Sequence, residues 1–267
     1  YSNRIQKFTS DGQFITKWGS QGSGDGQFNK ASGVSIDVNG NVYVADMGNS
    51  RIQKFTQTGQ FIDKWVVGYG PSGIALDAAY NMYVTDPSDD QIRICSAKDQ
   101  SISNWGPGDG DGDLKEPSGV AVDQSGNILV GDLLHSQIKK FSSDGDFISK
   151  IGGFGSGDGQ FCAPSGLTVA TSGNFYVVEA GIGRIQKFDS AGRFVTKWGS
   201  EGSNDGEFNY PCDIAIDENE NVYVADTDNY RIQKFTSDGQ FITKWGTQGS
   251  DNGQAWGPMG IAVHENK

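Results

Sequence analysis

The sequence predicts an all-β protein, a propeller of four-stranded antiparallel blades. Three observations predict it. Sixteen residues recur unchanged, RIQKFTSDGQFITKWG at Arg4–Gly19 and again at Arg231–Gly246. Looser copies read RIQKFTQTGQFIDKW from Arg51, QIRICSAKDQSISNW from Gln91, QIKKFSSDGDFISKI from Gln137 and RIQKFDSAGRFVTKW from Arg184. Each unit holds four short segments of alternating character, rich in Val, Ile, Tyr and Phe, which is a strand pattern. The acid closing the second segment, at Asp46, Asp86, Asp132, Glu179 and Asp226, recurs after 40, 46, 47 and 47 residues. That period, with four strands in it, is the arithmetic of a propeller blade.

The copy after the first shows the elements in order. Gly33–Asp37, Asn41–Asp46, Arg51–Thr56 and Phe61–Trp65 are the four strands. Between them stand Val38-Asn39-Gly40, Met47-Gly48-Asn49-Ser50 and Gln57-Thr58-Gly59, where Gly and Asn supply the positive φ that tight turns need. No stretch shows a 3.6-residue period, so helix content is expected near zero. The short interval of 40 residues comes from the compact link Val66–Gly70, where other units carry Gly-rich runs such as GSQGSGDGQF at Gly19–Phe28.

The ends predict closure. Pro258–Val263 (PMGIAV) reads as a first strand, and the chain stops where a second would start. Tyr1 begins just before a third strand, so an equivalent of Asn221–Thr227 is missing. The count is five complete blades and a sixth, split between the termini and lacking its second strand. Joining the ends in one blade turns an open array into a ring without exposed sheet edges. The reading is one domain over residues 1–267, a fragment of a longer parent. The alternative is a place kept for a partner's strand.

Composition narrows the function classes. The 267 residues carry a net charge of −12, with a pI near 4.5. An acidic surface repels phosphate backbones and disfavours nucleic acid. No apolar run is long enough to span a bilayer. Cys95, Cys162 and Cys212 are odd in number and lack metal-ligand spacing, so they read as unpaired thiols.

Several motifs resemble the NHL repeat family. Pro-Ser-Gly stands at Pro71, Pro117 and Pro164, followed by apolar-Ala-apolar-Asp and then Gly-Asn-apolar-Tyr-Val-Ala-Asp and Arg-Ile-Gln-Lys-Phe. Loops ending Gly-Gln-Phe, at Gly26–Phe28 and Gly159–Phe161, match too. The likeness recurs in register along the whole chain and implies a six-bladed propeller. Some six-bladed relatives are zinc lyases with three histidines or calcium-dependent lactonases, and some NHL propellers bind RNA through a basic face. This chain has two histidines, His135 and His264, too few for the zinc site.

The recurring acids read as scaffold. Asp46, Asp86, Asp132, Glu179 and Asp226 each stand five residues before Arg51, Gln91, Gln137, Arg184 or Arg231, a repeated ionic brace with glutamine in two copies. Asp37, Asp77, Asp123, Asp217 and His264 close the first strand, where aspartates cap the following turn. Asp109, Asp111 and Asp113 have the one-three-five spacing of a calcium loop without its sixth-position Gly or twelfth-position Glu. They are weak ligands for Ca²⁺, and no cofactor is otherwise implied. Lys17, Lys64, Lys150, Lys197 and Lys244 lie on the outermost strand, where charge discourages edge-to-edge association.

Departures from the repeat locate the expected site. Links from second to third strand, and from fourth strand to the next blade, lie on one face. The consensus there is small and polar, yet Leu133, Leu134, His135, Ile182 and Tyr230 break it, as does Tyr210 in an inter-blade link. Tyr1, Tyr69 and Trp256 share that face. Apolar groups gathered on a polar face mark a contact surface. The sequence therefore reads as a monomeric, non-enzymatic interaction module for a protein, peptide or glycan, with a basic partner suiting the acidic rim. A metal-dependent lyase- or lactonase-like enzyme and an RNA-binding propeller are the alternatives. The compartment is not legible, with an extracellular or cell-surface parent favoured.

Overall fold

A computed structural model describes residues 3–97, 100–106 and 110–264. It opens with a hairpin, β1 (Ile5–Phe8) and β2 (Phe14–Trp18). Blade one follows as β3 (Ala31–Ile36), β4 (Val42–Asp46), β5 (Arg51–Phe55) and β6 (Phe61–Val66). Blade two is β7 (Ile74–Leu76), β8 (Met82–Asp86), β9 (Gln91–Cys95) and β10 (Ile102–Trp105). Blade three is β11 (Pro117–Val122), β12 (Ile128–Asp132), β13 (Gln137–Phe141) and β14 (Phe147–Gly152). Blade four is β15 (Pro164–Val169), β16 (Phe175–Glu179), β17 (Arg184–Phe188) and β18 (Phe194–Trp198). Blade five is β19 (Pro211–Ile216), β20 (Val222–Asp226), β21 (Arg231–Phe235) and β22 (Phe241–Trp245). Each blade is a meander, with strands hydrogen-bonded in chain order.

The architecture is thus a five-bladed propeller of four-stranded antiparallel blades, and the expectation of six blades is corrected. In the remaining sector β1 pairs only with β2, and Pro258–Val263 forms no strand. The physical reason is local. Every other first strand is held by a second strand, and a backbone edge without that ladder is not a sheet. Two residue pairs at Thr247–Gln248 and Gln254–Ala255 make a short parallel bridge beside it.

The two ends nevertheless meet in this sector. Arg4 Nη1 donates to the Ser250 carbonyl at 2.6 Å and Gln6 Nε2 to that of Gln254 at 2.8 Å. A Cβ built on Gly260 would lie 2.3 Å from the Ser32 carbonyl oxygen, so the segment runs hard against β3. Around the axis the same close approach recurs: Gly33 N donates to Ser72 O at 2.8 Å, and Cβ atoms on Gly73 and Gly119 would strike the next blade's backbone.

Second strands are buried along their whole length, as befits strands with a neighbour on each side and a blade on each face. Of the recurrent third-strand phenylalanines, Phe55, Phe141, Phe188 and Phe235 are buried and Phe8 is half-buried, while Cys95 takes the position in blade two. Loop phenylalanines Phe28, Phe161 and Phe208 fold back onto them with ring centroids 5.5–5.6 Å apart. Outer-strand tryptophans join neighbouring units. Trp18 covers Gly59 of blade one and Trp245 covers Gly12 of the β1–β2 hairpin, which wedges the hairpin between blades five and one.

Candidate functional site

The acids that close the second strands are buried and braced. Arg51, Arg184 and Arg231 donate through Nε to Asp46, Glu179 and Asp226 at 2.7, 2.5 and 2.6 Å. Blades two and three keep a cation by moving it two residues. Arg93 Nε reaches Asp86 at 2.8 Å and Lys139 Nζ reaches Asp132 at 2.8 Å, because residues i and i+2 of a strand share a face. Asp37, Asp77, Asp123 and Asp217 cap their turns by accepting backbone N–H groups two and four residues on. Both series are scaffold.

The rim lysines are also engaged. Lys64, Lys150, Lys197 and Lys244 pair with Asp25, Asp111, Asp158 and Asp205 of the Gly-rich loops at 2.5–2.7 Å. Asp111 is therefore already paired, and the Asp113 carbonyl accepts from Lys139. Asp109 lies outside the described residues. Among the described residues no three His, Cys, Asp or Glu side chains gather as metal ligands.

The links that the sequence singled out do lie on one end of the propeller, because second and fourth strands both run toward it. Their residues separate by burial. Leu134 is 60% exposed and Tyr210 55% exposed, and His135 is exposed with Nδ1 2.8 Å from Asp132 Oδ2. Leu133, Ile182 and Tyr230 are half-buried. Tyr230 sets its ring edge-on to Trp256 at 6.3 Å. Both Tyr210 and Tyr230 hold positive φ, +50° and +57°, a region that disfavours bulky side chains.

Besides Arg93 and Lys139, two further residues escaped the sequence reading. Phe154, 79% exposed, stands in the link from blade three to blade four, where the equivalent links carry Gln21, Glu201 and Gln248. Its signal was present, as a lone aromatic in a polar register. The other is Asp213, where the repeat has Gly33, Gly73, Gly119, Gly166 and Gly260. Asp213 Oδ2 accepts from Ile261 N at 2.9 Å and so ties the C-terminal segment to blade five. Burial pushes its carboxyl up to about 7, against two backbone N–H bonds that favour the anion. The side chain retains some exposed surface, yet protein surrounds it closely (a Cβ on Gly166 would meet Asp213 Oδ1 at 2.8 Å), so the upward direction stands. Burial also raises the thiols of Cys95 and Cys212, to about 12 and 11, which removes thiolate chemistry at neutral pH.

Comparison with known proteins bears on the repeats and the fold. Residues 28–55, 114–141 and 208–235 match the NHL repeat. Protein lin-41 of Caenorhabditis elegans is 46% identical over 43 residues, which is 16% of this chain and 4% of that protein. Among solved structures, virginiamycin B lyase from Staphylococcus aureus superposes with a TM-score of 0.64 at 15% identity, over 91% of this chain and 77% of its own. A chain of a nidogen/laminin complex gives 0.65 at 21% identity, over 80% and 79%. At these identities the likeness is one of fold, shared by an enzyme and by a component of a protein complex.

Proposed function

Taking the chain as a propeller built with NHL repeats, we propose that it is a non-enzymatic interaction module. It presents the link face of blades three to five to a protein or peptide. The carrying observation is the exposure of Leu134, Phe154 and Tyr210 at link positions where other blades place Gly, Ala, Ser, Asp, Gln, Lys or Glu. Leucine and aromatic side chains exposed at such positions are the residue types that anchor interfaces. Exposed Glu201 and Asp228 border them, which favours a basic partner. The lysines that could have formed a cationic face are matched one to one with loop aspartates, so an RNA backbone finds no free positive stripe among those four.

The test is affinity capture with the folded chain and with the double variant Leu134→Asp/Tyr210→Ala, read by mass spectrometry and by cross-linking to RNA. The reading expects specific proteins retained by the unaltered chain and lost with the variant. Identical protein profiles from the two chains, or RNA as the retained species, would overturn it.

A further inference from the structure

The hydrogen bonds that fix the link face repeat from blade to blade, whereas the side chains they carry do not. In blade one Asn49 Nδ2 donates to the Gly22 carbonyl at 2.9 Å and Gly48 N to that of Asn29 at 2.8 Å. Blade five repeats both bonds, from Asn229 Nδ2 to Gly202 O at 2.8 Å and from Asp228 N to Asn209 O at 3.0 Å. Three surface positions are brought together in this way. Blade one fills them with Gln21, Lys30 and Gly48, and blade five with Glu201, Tyr210 and Asp228. Blade four has Phe154, Ala163 and Gly181 there, with Gly181 N donating to the Cys162 carbonyl.

The blade-five set forms a notch fitted to a cation. Tyr210, Glu201 and Asp228 are all exposed. The two acids form no ion pair among the described residues, unlike Asp205 of the same loop, which Lys244 holds at 2.5 Å. Arg231 does not neutralise them, because its Nε, Nη1 and Nη2 donate inward to Asp226 and to the carbonyls of Ser203 and Glu207. Gly183 of blade four, where a Cβ would lie 3.0 Å from Glu201 Cα, puts backbone rather than a side chain beside the notch. An aromatic face next to unpaired carboxylates attracts an ammonium or guanidinium group through the ring quadrupole and through charge. The net charge of −12 adds attraction at longer range. Blade four, alongside, offers an apolar step, since Phe154 is accompanied only by the small residues Ala163 and Gly181.

Resting on the reading of the link face as an interaction surface, we infer that its occupant is an extended peptide segment carrying an arginine or lysine close to an apolar residue. The cation lies over Tyr210 between the carboxylates of Glu201 and Asp228, and the apolar side chain lies against Phe154 over Ala163 and Gly181. Charge complementarity selects this partner. An acidic segment would meet two like charges, and the same positions in blade one, with an exposed Lys30 and no acid, form no such notch. The acids supply specificity for the cation, and Tyr210 and Phe154 supply the apolar anchors.

Fluorescently labelled synthetic peptides are titrated with the folded chain and anisotropy is followed. Each carries one leucine and one arginine in a Gly-Ser background, separated by up to about four residues, a reach of roughly 17 Å. A matched set has citrulline for arginine, which keeps the shape and removes the charge. The expected result is saturable binding at one spacing or more, weakened about tenfold by citrulline and likewise by the Glu201→Gln/Asp228→Asn chain, and weakened by added salt. Because citrulline changes only the peptide, that comparison does not depend on the fold of the variant chain. Equal binding of the arginine and citrulline peptides, or no saturable binding at millimolar peptide, overturns the inference. The two readings also fail separately. Proteins retained by the unaltered chain, lost with Leu134→Asp/Tyr210→Ala and held undiminished by Glu201→Gln/Asp228→Asn would leave the interaction face standing and overturn its basic ligand.

Discussion

Arg93 holds Asp86 from a position two residues further along its strand than Arg51 occupies relative to Asp46, at 2.8 Å against 2.7 Å. The acid, not the arginine, is the fixed point of the blade, and the cation is free to approach it from either of two positions on the same strand face. Burial outweighs Arg93 in setting the Asp86 carboxyl, which stands above its ordinary value. Removing the cation should therefore expose the cost of a buried carboxylate. Arg93→Gln is expected to lose about 3–5 kcal/mol in urea unfolding, the range for breaking a buried pair. Adding Gln91→Arg recreates the arrangement of blade one and should recover more than half of the loss. A double variant no more stable than the single one would contradict the shared role of the two positions.

The outer hairpin turns make a second, sharper test of packing. Gly59 has φ of +86° and a Cβ there would lie 2.6 Å from the Trp18 ring, whereas Gly126 has φ of +79° and open space. Alanine at Gly126 meets only the left-handed backbone penalty of about 1–2 kcal/mol. Alanine at Gly59 must also displace the tryptophan that joins the β1–β2 hairpin to blade one. Thermal unfolding should rank Gly59→Ala clearly below Gly126→Ala, and equal losses would deny that contact its structural weight.

Two equivalent phenylalanines should likewise differ. Phe55 is buried against Phe28, Trp18 and Phe61, so Phe55→Ala is expected to cost about 3–5 kcal/mol. Phe8 is half-buried and borders a cavity in the closing sector. Phe8→Ala should cost less than half as much, measured by denaturant unfolding of both variants. Equal costs would mean that the cavity wall is as tightly packed as a complete blade.

Asp213 gives the stability a pH signature. An unfolded aspartate titrates near 3.9, while burial holds the folded one at about 7. Between these values the folded state binds more protons, so this residue's contribution declines as pH rises from about 4 to about 7 and is level above. Melting temperatures across that window should fall less steeply for Asp213→Asn than for the unaltered chain. Parallel curves would place the titration elsewhere.

The repeat made most of the fold legible. Strand order, the buried third-strand phenylalanines and the turn-capping aspartates all follow from local alternation and turn residues, which a sequence displays directly. The closing sector was misread because strand formation at Pro258–Val263 depends on a neighbouring strand, a non-local condition that a first-strand motif does not report. The cations at Arg93 and Lys139 were missed because the reading fixed on one position per blade, and the strand's two-residue period was needed to find them. Of the face residues, Leu134 and Tyr210 stood out as departures from a polar consensus and Phe154 carried the same mark without being noticed, while Asp213 breaks a run of glycines in the first strand. Exposure then separated Leu134 from Leu133, a distinction that sequence neighbours cannot make.

The account centres on the link face of blades three to five. Amide hydrogen exchange of the chain, alone and with the partner recovered by capture, tests it most directly. Protection on binding should concentrate at residues 133–136, 153–156 and 208–212, with the outer strands β14, β18 and β22 unchanged. Protection confined to those outer strands, or to the turns at the opposite end of the propeller, would contradict it.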